Sequence, residues 1–253
     1  MAGALAAPRA QGRPVRLRVV VLDVGGSSVK LSVGGLSAQT IPSGPAMTPR
    51  RLVRESLAAL GGREYDAVSL GYPGPVRGGR LLAEPRNLGT GWRAFDFERA
   101  FGRPVRIVND AAMQALGAYR GGVMLFLGLG TGLGTALVTD GAVVAMEMGQ
   151  LRLRGRRTLE DDLGARGLAR LGQAAWRRAV AEVVAALSEV FVPDEVVLGG
   201  GNVNRLATLP HGARRGSNED ALRGGLLLWN DGAAPRPRAL REEAACSGRT
   251  GSR

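Results

Sequence analysis

Two strand-like runs, about a hundred residues apart, each break into a glycine-rich turn and then resume as a strand. The first, Val15 to Leu22, stops at Asp23 and continues as Val24-Gly25-Gly26-Ser27-Ser28-Val29-Lys30-Leu31-Ser32-Val33. The second, Val123 to Leu129, leads into Gly130-Thr131-Gly132-Leu133-Gly134-Thr135 and then Ala136, Leu137 and Val138. Apolar runs on both sides of a glycine turn predict a hairpin, whereas a dinucleotide-binding fold would lead from the turn into a helix. In so tight a turn, backbone N–H groups and hydroxyls point together and can cradle a phosphate. An ordinary hairpin turn is the plain alternative, but it would not need Asp23 immediately ahead.

Between the two hairpins, Val105 to Val108 ends in Asn109-Asp110, and a small-residue helical pattern starts at Ala111. An acidic residue at such a junction can cap the helix. The C-terminal mouth of a strand is also where open α/β sheets take their ligands, so capping and chemistry both stand as readings of Asp110. Elsewhere the pattern predicts a Pro/Gly/Ser loop over 41–49, a helix over 49–60 and a strand over 65–70. A rigid turn, Gly71-Tyr72-Pro73-Gly74-Pro75, follows that strand; then come a loop-like 76–94 and a short helix over 97–101. In the second half, residues 158–190 read as helical, 195–198 as a last strand ending in Gly199-Gly200-Gly201-Asn202, and 221–229 as a final helix. The expected organisation is a flexible tail over 1–14, α/β domains over 15–110 and 111–230, and a disordered tail over 231–253. The last helix is expected to pack back on the first domain.

The chain of 253 residues is long enough for a real core, with 45% hydrophobic and 22% charged residues. Its net charge of +12 comes from arginine, since Lys30 is the only lysine. Genomic bias would explain this; a polyanionic partner is the functional alternative, because guanidinium forks match phosphate oxygens. No recognition-helix, zinc-finger or aromatic RNA-binding signature accompanies the charge, so no nucleic-acid partner is expected. The single Cys246 excludes an internal disulfide and a cysteine-cluster metal site, and fits a reducing cytoplasm. Residues 121–139 carry no charge, but glycines at 121, 122, 128, 130, 132 and 134 argue against a membrane helix.

Taken in order, these motifs resemble the ROK family of sugar kinases and repressors, within the actin-like ATPase (ribonuclease H-like) superfamily, and its polyphosphate glucokinase branch in particular. The resemblance runs from Asp23 to about Trp229 and implies a two-domain α/β kinase fold. Asp23-Val24-Gly25-Gly26-Ser27, with Ser28, is similar to the family's first phosphate motif, which implies that Asp23 orients magnesium through water. Lys30 matches a lysine of the polyphosphate branch, a solvated strand lysine being the alternative. Gly71-Tyr72-Pro73-Gly74 and Asn87-Leu88 resemble the sugar-side elements. Asn109-Asp110 resembles the pair that binds sugar hydroxyls, with Asp110 as catalytic base. Gly130-Thr131-Gly132-Leu133-Gly134 resembles the second phosphate motif, and Gly199-Gly200-Gly201 the adenosine-side motif.

The chemistry asks for the same residue types. A sugar hydroxyl attacks phosphorus well when a carboxylate accepts its proton, and a sugar needs several fixed hydrogen-bond partners, for which Asn109, Asp110, Glu147 and Glu160 suffice together. Phosphoryl transfer otherwise rests on positioning and charge neutralisation. Two departures stand out. Where the family has Glu-x-Gly-His, this chain has Glu147-Met148-Gly149-Gln150, and Gln150 can hydrogen-bond but cannot carry a proton charge. The cysteine-rich zinc site of many relatives has no counterpart, so no zinc is expected; the polyphosphate branch lacks it too. Glu160, in Thr158-Leu159-Glu160-Asp161-Asp162, falls roughly where that branch has a sugar-side acidic cluster; a first-turn helix carboxylate is the alternative. Arg152, Arg154, Arg156 and Arg157 form either a solvated loop or a basic track for polyphosphate.

The expected reaction is magnesium-dependent phosphorylation of glucose or a similar hexose from ATP or polyphosphate. A catalytically silent sugar-binding protein is the rival that Gln150 motivates. A sugar-responsive regulator is disfavoured because only 22 residues precede Asp23, too few for a helix-turn-helix domain. A homodimer is implied by family habit alone.

Overall fold

The structure is a computed structural model and describes residues 17–230 apart from 36, 37, 153, 154 and 218. The expected tails over 1–14 and 231–253, Cys246 and Arg154 lie outside the described residues.

In chain order the first half comprises β1 (Val19–Val24), β2 (Ser28–Val33), β3 (Gln39–Pro42), α1 (Pro49–Leu60), β4 (Ala67–Tyr72), the two-residue strands β5 (Val76–Arg77) and β6 (Arg80–Leu81), α2 (Phe97–Phe101) and β7 (Val105–Asn109). The second comprises α3 (Asp110–Ala118), β8 (Val123–Leu129), β9 (Leu133–Thr139), β10 (Ala142–Met146), α4 (Leu159–Leu163), α5 (Ala165–Phe191), β11 (Glu195–Gly199), β12 (Ala213–Arg215) and α6 (Asp220–Leu227).

Two five-stranded sheets result, ordered β3-β2-β1-β4-β7 and β10-β9-β8-β11-β12. In the first, β1–β2 and β2–β3 are antiparallel and β1–β4 and β4–β7 parallel. The second repeats the scheme, with β8–β9 and β9–β10 antiparallel and β8–β11 and β11–β12 parallel. The two glycine hairpins, β1–β2 and β8–β9, therefore hold equivalent places in the two sheets. This is why the same strand-then-glycine grammar recurs in the sequence. β1 reads Val-Val-Val-Leu-Asp-Val and is buried throughout, as a central strand covered on both faces must be.

Helix boundaries follow local chemistry. Thr48 caps α1 by accepting from Arg51 N at 3.3 Å, Pro49 supplies a ready-made φ at the first turn, and Gly61 closes it at φ 58°. The expected helix over 158–190 is two helices meeting at Gly164, and Gly172 (φ 72°) kinks the second. The loop expected over 41–49 gives up Ile41 and Pro42 to β3. The strand expected over 65–70 begins at Ala67 and runs on through Gly71 and Tyr72, because Tyr72 pairs in register with Asn109. The turn therefore starts at Pro73. The loop-like 76–94 contains the β5–β6 hairpin, and β11 is followed by a further strand, β12.

α3 lies between the sheets. Ala111, Ala112, Ala115 and Ala118 pack on Phe126, Ala136 and Val138 of the second sheet. Met113 and Leu116 pack with Val19, Val21 and Ala67 of the first and with Ala221 and Leu228 around α6. α6 also reaches the first sheet directly, where the Ser69 hydroxyl donates to Gly225 O at 2.6 Å and Trp229 Nε1 to Ser69 Oγ at 2.9 Å. α3 and α6 cross backbone to backbone: a Cβ on Gly117 would stand 1.8 Å from Asp220 O, and one on Gly224 1.8 Å from Met113 O.

Candidate active site

A cavity of about 780 Å³ lies between the sheets, walled by both glycine turns and floored by the start of α3. The first turn is held by its own backbone and by the loop after β3. Gly25 N donates to Ser28 O at 2.9 Å, Ser43 N to Ser27 O at 3.1 Å, and the Ser43 hydroxyl to Gly25 O at 2.6 Å. Asn87 leans on this turn, since a Cβ on Gly26 would come within 3.2 Å of the Asn87 Cβ. Asp23, next to last in β1, stands opposite Lys30 of β2 and is only 8% exposed. Burial raises its carboxyl to about 6, with Lys30 and a hydrogen bond from Gln114 pulling the other way.

At the second junction the capping role expected as one reading of Asp110 belongs to Asn109. Its Oδ1 accepts from Ala112 N at 3.0 Å, while its Nδ2 donates to Gly74 O at 3.1 Å and ties the helix start to the turn after β4. Asn109 has the extended backbone of a cap, whereas Asp110 is already the first helical residue, one position too late. Asp110 accepts from Ala111 N at 2.8 Å and lines the cavity. Desolvation raises it to about 7; the charges of Asp23 and Glu147 act the same way, against the lowering by Ala111 N–H.

The second turn is braced from below. Gly130 N donates to Gly132 O at 3.1 Å, Ala165 N to Thr131 O at 3.2 Å, and Asn202 Nδ2 to Gly130 O at 2.9 Å. Glu160 sits in the first turn of α4, where Thr158 and Asp161 form a capping box. Its Oε2 reaches Leu133 N at 3.4 Å, and its Oε1 pairs with Arg86 of the first half at 3.1 Å. Glu160 leans on the second turn: a Cβ on Gly132 would lie 2.6 Å from Glu160 Oε2, which would have to move aside. Glu160 is therefore a helix N-terminal carboxylate that also lines the cavity. Glu147 keeps a solvent-facing side, yet desolvation raises its carboxyl, with Arg86 lowering it and Glu160 raising it. Gln150 closes a 3-10 turn over 148–150 and lines the same wall.

The cavity thus gathers Asp23, Gly25, Gly26, Ser27, Ser28 and Lys30 with Asn87, Asn109 and Asp110, and from the other half Gly130, Thr131, Gly132, Glu147, Gln150 and Glu160. Of the three late glycines, Gly200 and Gly201 line it and Gly199 does not. Gly199 ends β11, where a Cβ would stand 2.6 Å from Phe126 Cζ, and Gly200 (φ 79°) would put one 2.5 Å from Leu129 O. Arg152, Arg156 and Arg157 are exposed and absent from the lining, and Arg152 Nε donates to Arg156 O at 3.1 Å, as in a solvated loop.

Several lining residues were passed over in the sequence, four polar ones among them. Gln114 follows Asp110 by four positions, a spacing that puts both on one helix face, and Arg86 immediately precedes Asn87. Asn202 and Asn204 follow the glycine triplet. Among the described residues no group of three or more His, Cys, Asp or Glu could hold a metal. Magnesium does not need one, since it commonly takes one or two carboxylates and completes its shell with water and phosphate oxygens. The buried Asp23 carboxylate, lining the cavity beside the first glycine turn, is a donor that fits such an ion.

The model of the ROK family matches residues 19–154, more than half of the chain. The chain belongs to the ROK family. The polyphosphate glucokinase of Mycobacterium leprae (strain TN) is 27% identical over 75% of this chain, which spans 65% of that relative's length. Among solved structures, the inorganic polyphosphate/ATP-glucomannokinase of Arthrobacter sp. strain KM superposes with a TM-score of 0.72 at 23% identity, covering 83% of this chain and 97% of the other. The ROK family glucokinase of Streptomyces griseus, in complex with glucose and AMPPNP, does so with a TM-score of 0.67 at 19% identity, covering 83% and 98%. The fold is accordingly that of the actin-like ATPases, with the cavity between its two sheets.

Proposed function

We propose that this protein is a hexose kinase that transfers a phosphoryl group from ATP or polyphosphate to glucose or a similar sugar. The observation that carries the reading is Asp110, a carboxylate raised to about 7 that lines one cavity with both glycine turns. A base poised near neutral pH is suited to taking a proton from a hydroxyl as that hydroxyl becomes a nucleophile. In the proposed step the sugar oxygen forms its bond to the terminal phosphorus while its proton passes to Asp110. The bond from phosphorus to the bridging oxygen breaks, and its electron pair leaves with the shortened donor.

The remaining side chains divide by position. Asn109 and Asp110, with Glu147, Gln150 and Glu160 facing them, hold the sugar hydroxyls; Asn87, against the first turn, fixes the sugar beside the donor. Gly25, Gly26, Ser27, Ser28 and Lys30 on one side, and Gly130, Thr131 and Gly132 on the other, cradle the phosphates through N–H groups, hydroxyls and one ammonium. Gly200 and Gly201 border the far end of the donor, with Gly199 supporting them from below. Asp23 would hold magnesium, through water, near the phosphates; when bound, the ion neutralises charge that builds on the donor. Gln150 supplies hydrogen bonds where a histidine would also supply charge, which bears on the choice of sugar.

A coupled assay of a hexose panel against ATP and polyphosphate tests the proposal. Turnover with at least one pair, dependent on magnesium, is expected. Gln150 motivates one rival, a sugar-binding protein without turnover. Saturable hexose binding with no phosphoryl transfer from either donor would favour that rival.

A further inference from the structure

A second cavity, of about 240 Å³, adjoins the first and shares Gly216 and Ser217 with it as a common wall. Arg120, Arg214, Arg215 and Arg223 line it, with Glu219 and Asp220. The two carboxylates offset only part of the four positive charges. Asp220 is buried, accepts from Ser217 N at 2.6 Å and stands 3.8 Å from Arg223, while Glu219 is exposed. Three of the four guanidinium groups are held by backbone carbonyls: Arg214 Nη2 donates to Ala118 O at 2.6 Å, Arg223 Nε to Gly117 O at 2.9 Å, and Arg215 to Leu206 O. Arg214 is also paired with Glu195, and Arg223 with Asp220; Arg120, Arg215 and Arg223 are exposed.

We propose that this arginine pocket is a subsite for the distal phosphates of an inorganic polyphosphate donor whose reacting end lies in the main cavity. Deepening the kinase reading, it rests on that reading for the reaction but not for the binding. Guanidinium forks already oriented by the backbone bind phosphate oxygens bidentately and lose little freedom in doing so. The lining contains no aromatic ring and no apolar side chain larger than Ala118, so it offers a nucleobase nothing to stack on. A phosphate chain needs no such platform. Gly216 and Ser217, both small, are the boundary that the two cavities share.

The test combines Arg120→Gln with Arg223→Gln in the full chain, neither residue belonging to the main cavity. Long-chain polyphosphate, tripolyphosphate and ATP are compared as donors, and binding of fluorescently labelled long-chain polyphosphate is measured without sugar. Loss of two charge-assisted contacts should raise KM for the long chain roughly tenfold or more, with kcat and the KM for ATP and tripolyphosphate unchanged. The labelled chain should bind correspondingly more weakly, with a shallower salt dependence. Arg120→Gln alone, at an exposed position, keeps the test valid should the double variant fail to fold, and should give part of the same effect. Unchanged long-chain KM and binding, or an equal rise for ATP, would overturn the subsite. Displacement of the labelled chain by single-stranded DNA of equal charge at equal concentration would also count against it. Arginine-dependent binding without turnover from any donor would instead sink the kinase reading while leaving the subsite intact.

Discussion

Asp110 carries an electrostatic cost that can be measured without any substrate. Its carboxyl titrates near 3.8 when unfolded and near 7 in the fold, so folding favours the protonated form. The stabilising contribution is complete below about pH 4 and is lost as pH rises through 7. Asp23, raised to about 6, works in the same direction, and the two titrate as a coupled pair. Asp110→Asn should therefore stabilise the ligand-free protein at pH 8, by on the order of 3 kcal/mol, and leave it almost unchanged at pH 4. Denaturant titrations at the two pH values check this; a variant equally stable at both, relative to the parent, would mean Asp110 is not desolvated. The same carboxyl must be ionised to accept a proton. The account thus expects kcat/KM for the sugar to fall about tenfold per pH unit below 7, read from a pH–rate profile of the free enzyme.

At the scale of elements, α3 and α6 depend on glycine where their backbones touch. Gly117→Ala should cost roughly 3 kcal/mol of stability, because the added methyl would meet Asp220 O and neither helix backbone can yield cheaply. Gly201→Ala, which would meet nothing within 4 Å, should stay within about 0.5 kcal/mol. Thermal melts of the two variants decide it, and equal losses would contradict the packing. Long elements with strong periodicity, such as β1, α1 and the hairpin of β8 and β9, were legible in the sequence. β12 was not, because three residues carry no period and its pairing to β11 is a tertiary event. Nor did the sequence distinguish Asn109 from Asp110 as the cap. Both residue types favour that position, and only the backbone angles separate an N-cap from a first helical turn.

Over the whole molecule, two sheets of the same strand order face one cavity, and α3 packs on both. Its first residue, Asp110, consequently stands where both glycine turns converge. That convergence was foreseeable from the motifs and their order. Two contributors were not, because they come from residues distant in the chain. Arg86 meets Glu160 across the cavity, and Asn202 holds the second turn by Gly130 O. The arginine pocket is of the same kind, since Arg120, Arg214 and Arg223 come from three different segments. The sequence drew attention instead to the compact run at 152–157, whose described arginines stay outside the cavity.

The central claim is that Asp110 takes the proton of the attacking sugar hydroxyl. Single-turnover transfer from the better donor to the preferred hexose, measured for the parent and Asp110→Asn with sugar binding monitored alongside, tests it most directly. The rate should drop about 100- to 10,000-fold while the sugar still binds and the variant remains folded. A rate within a few-fold of the parent would contradict the claim.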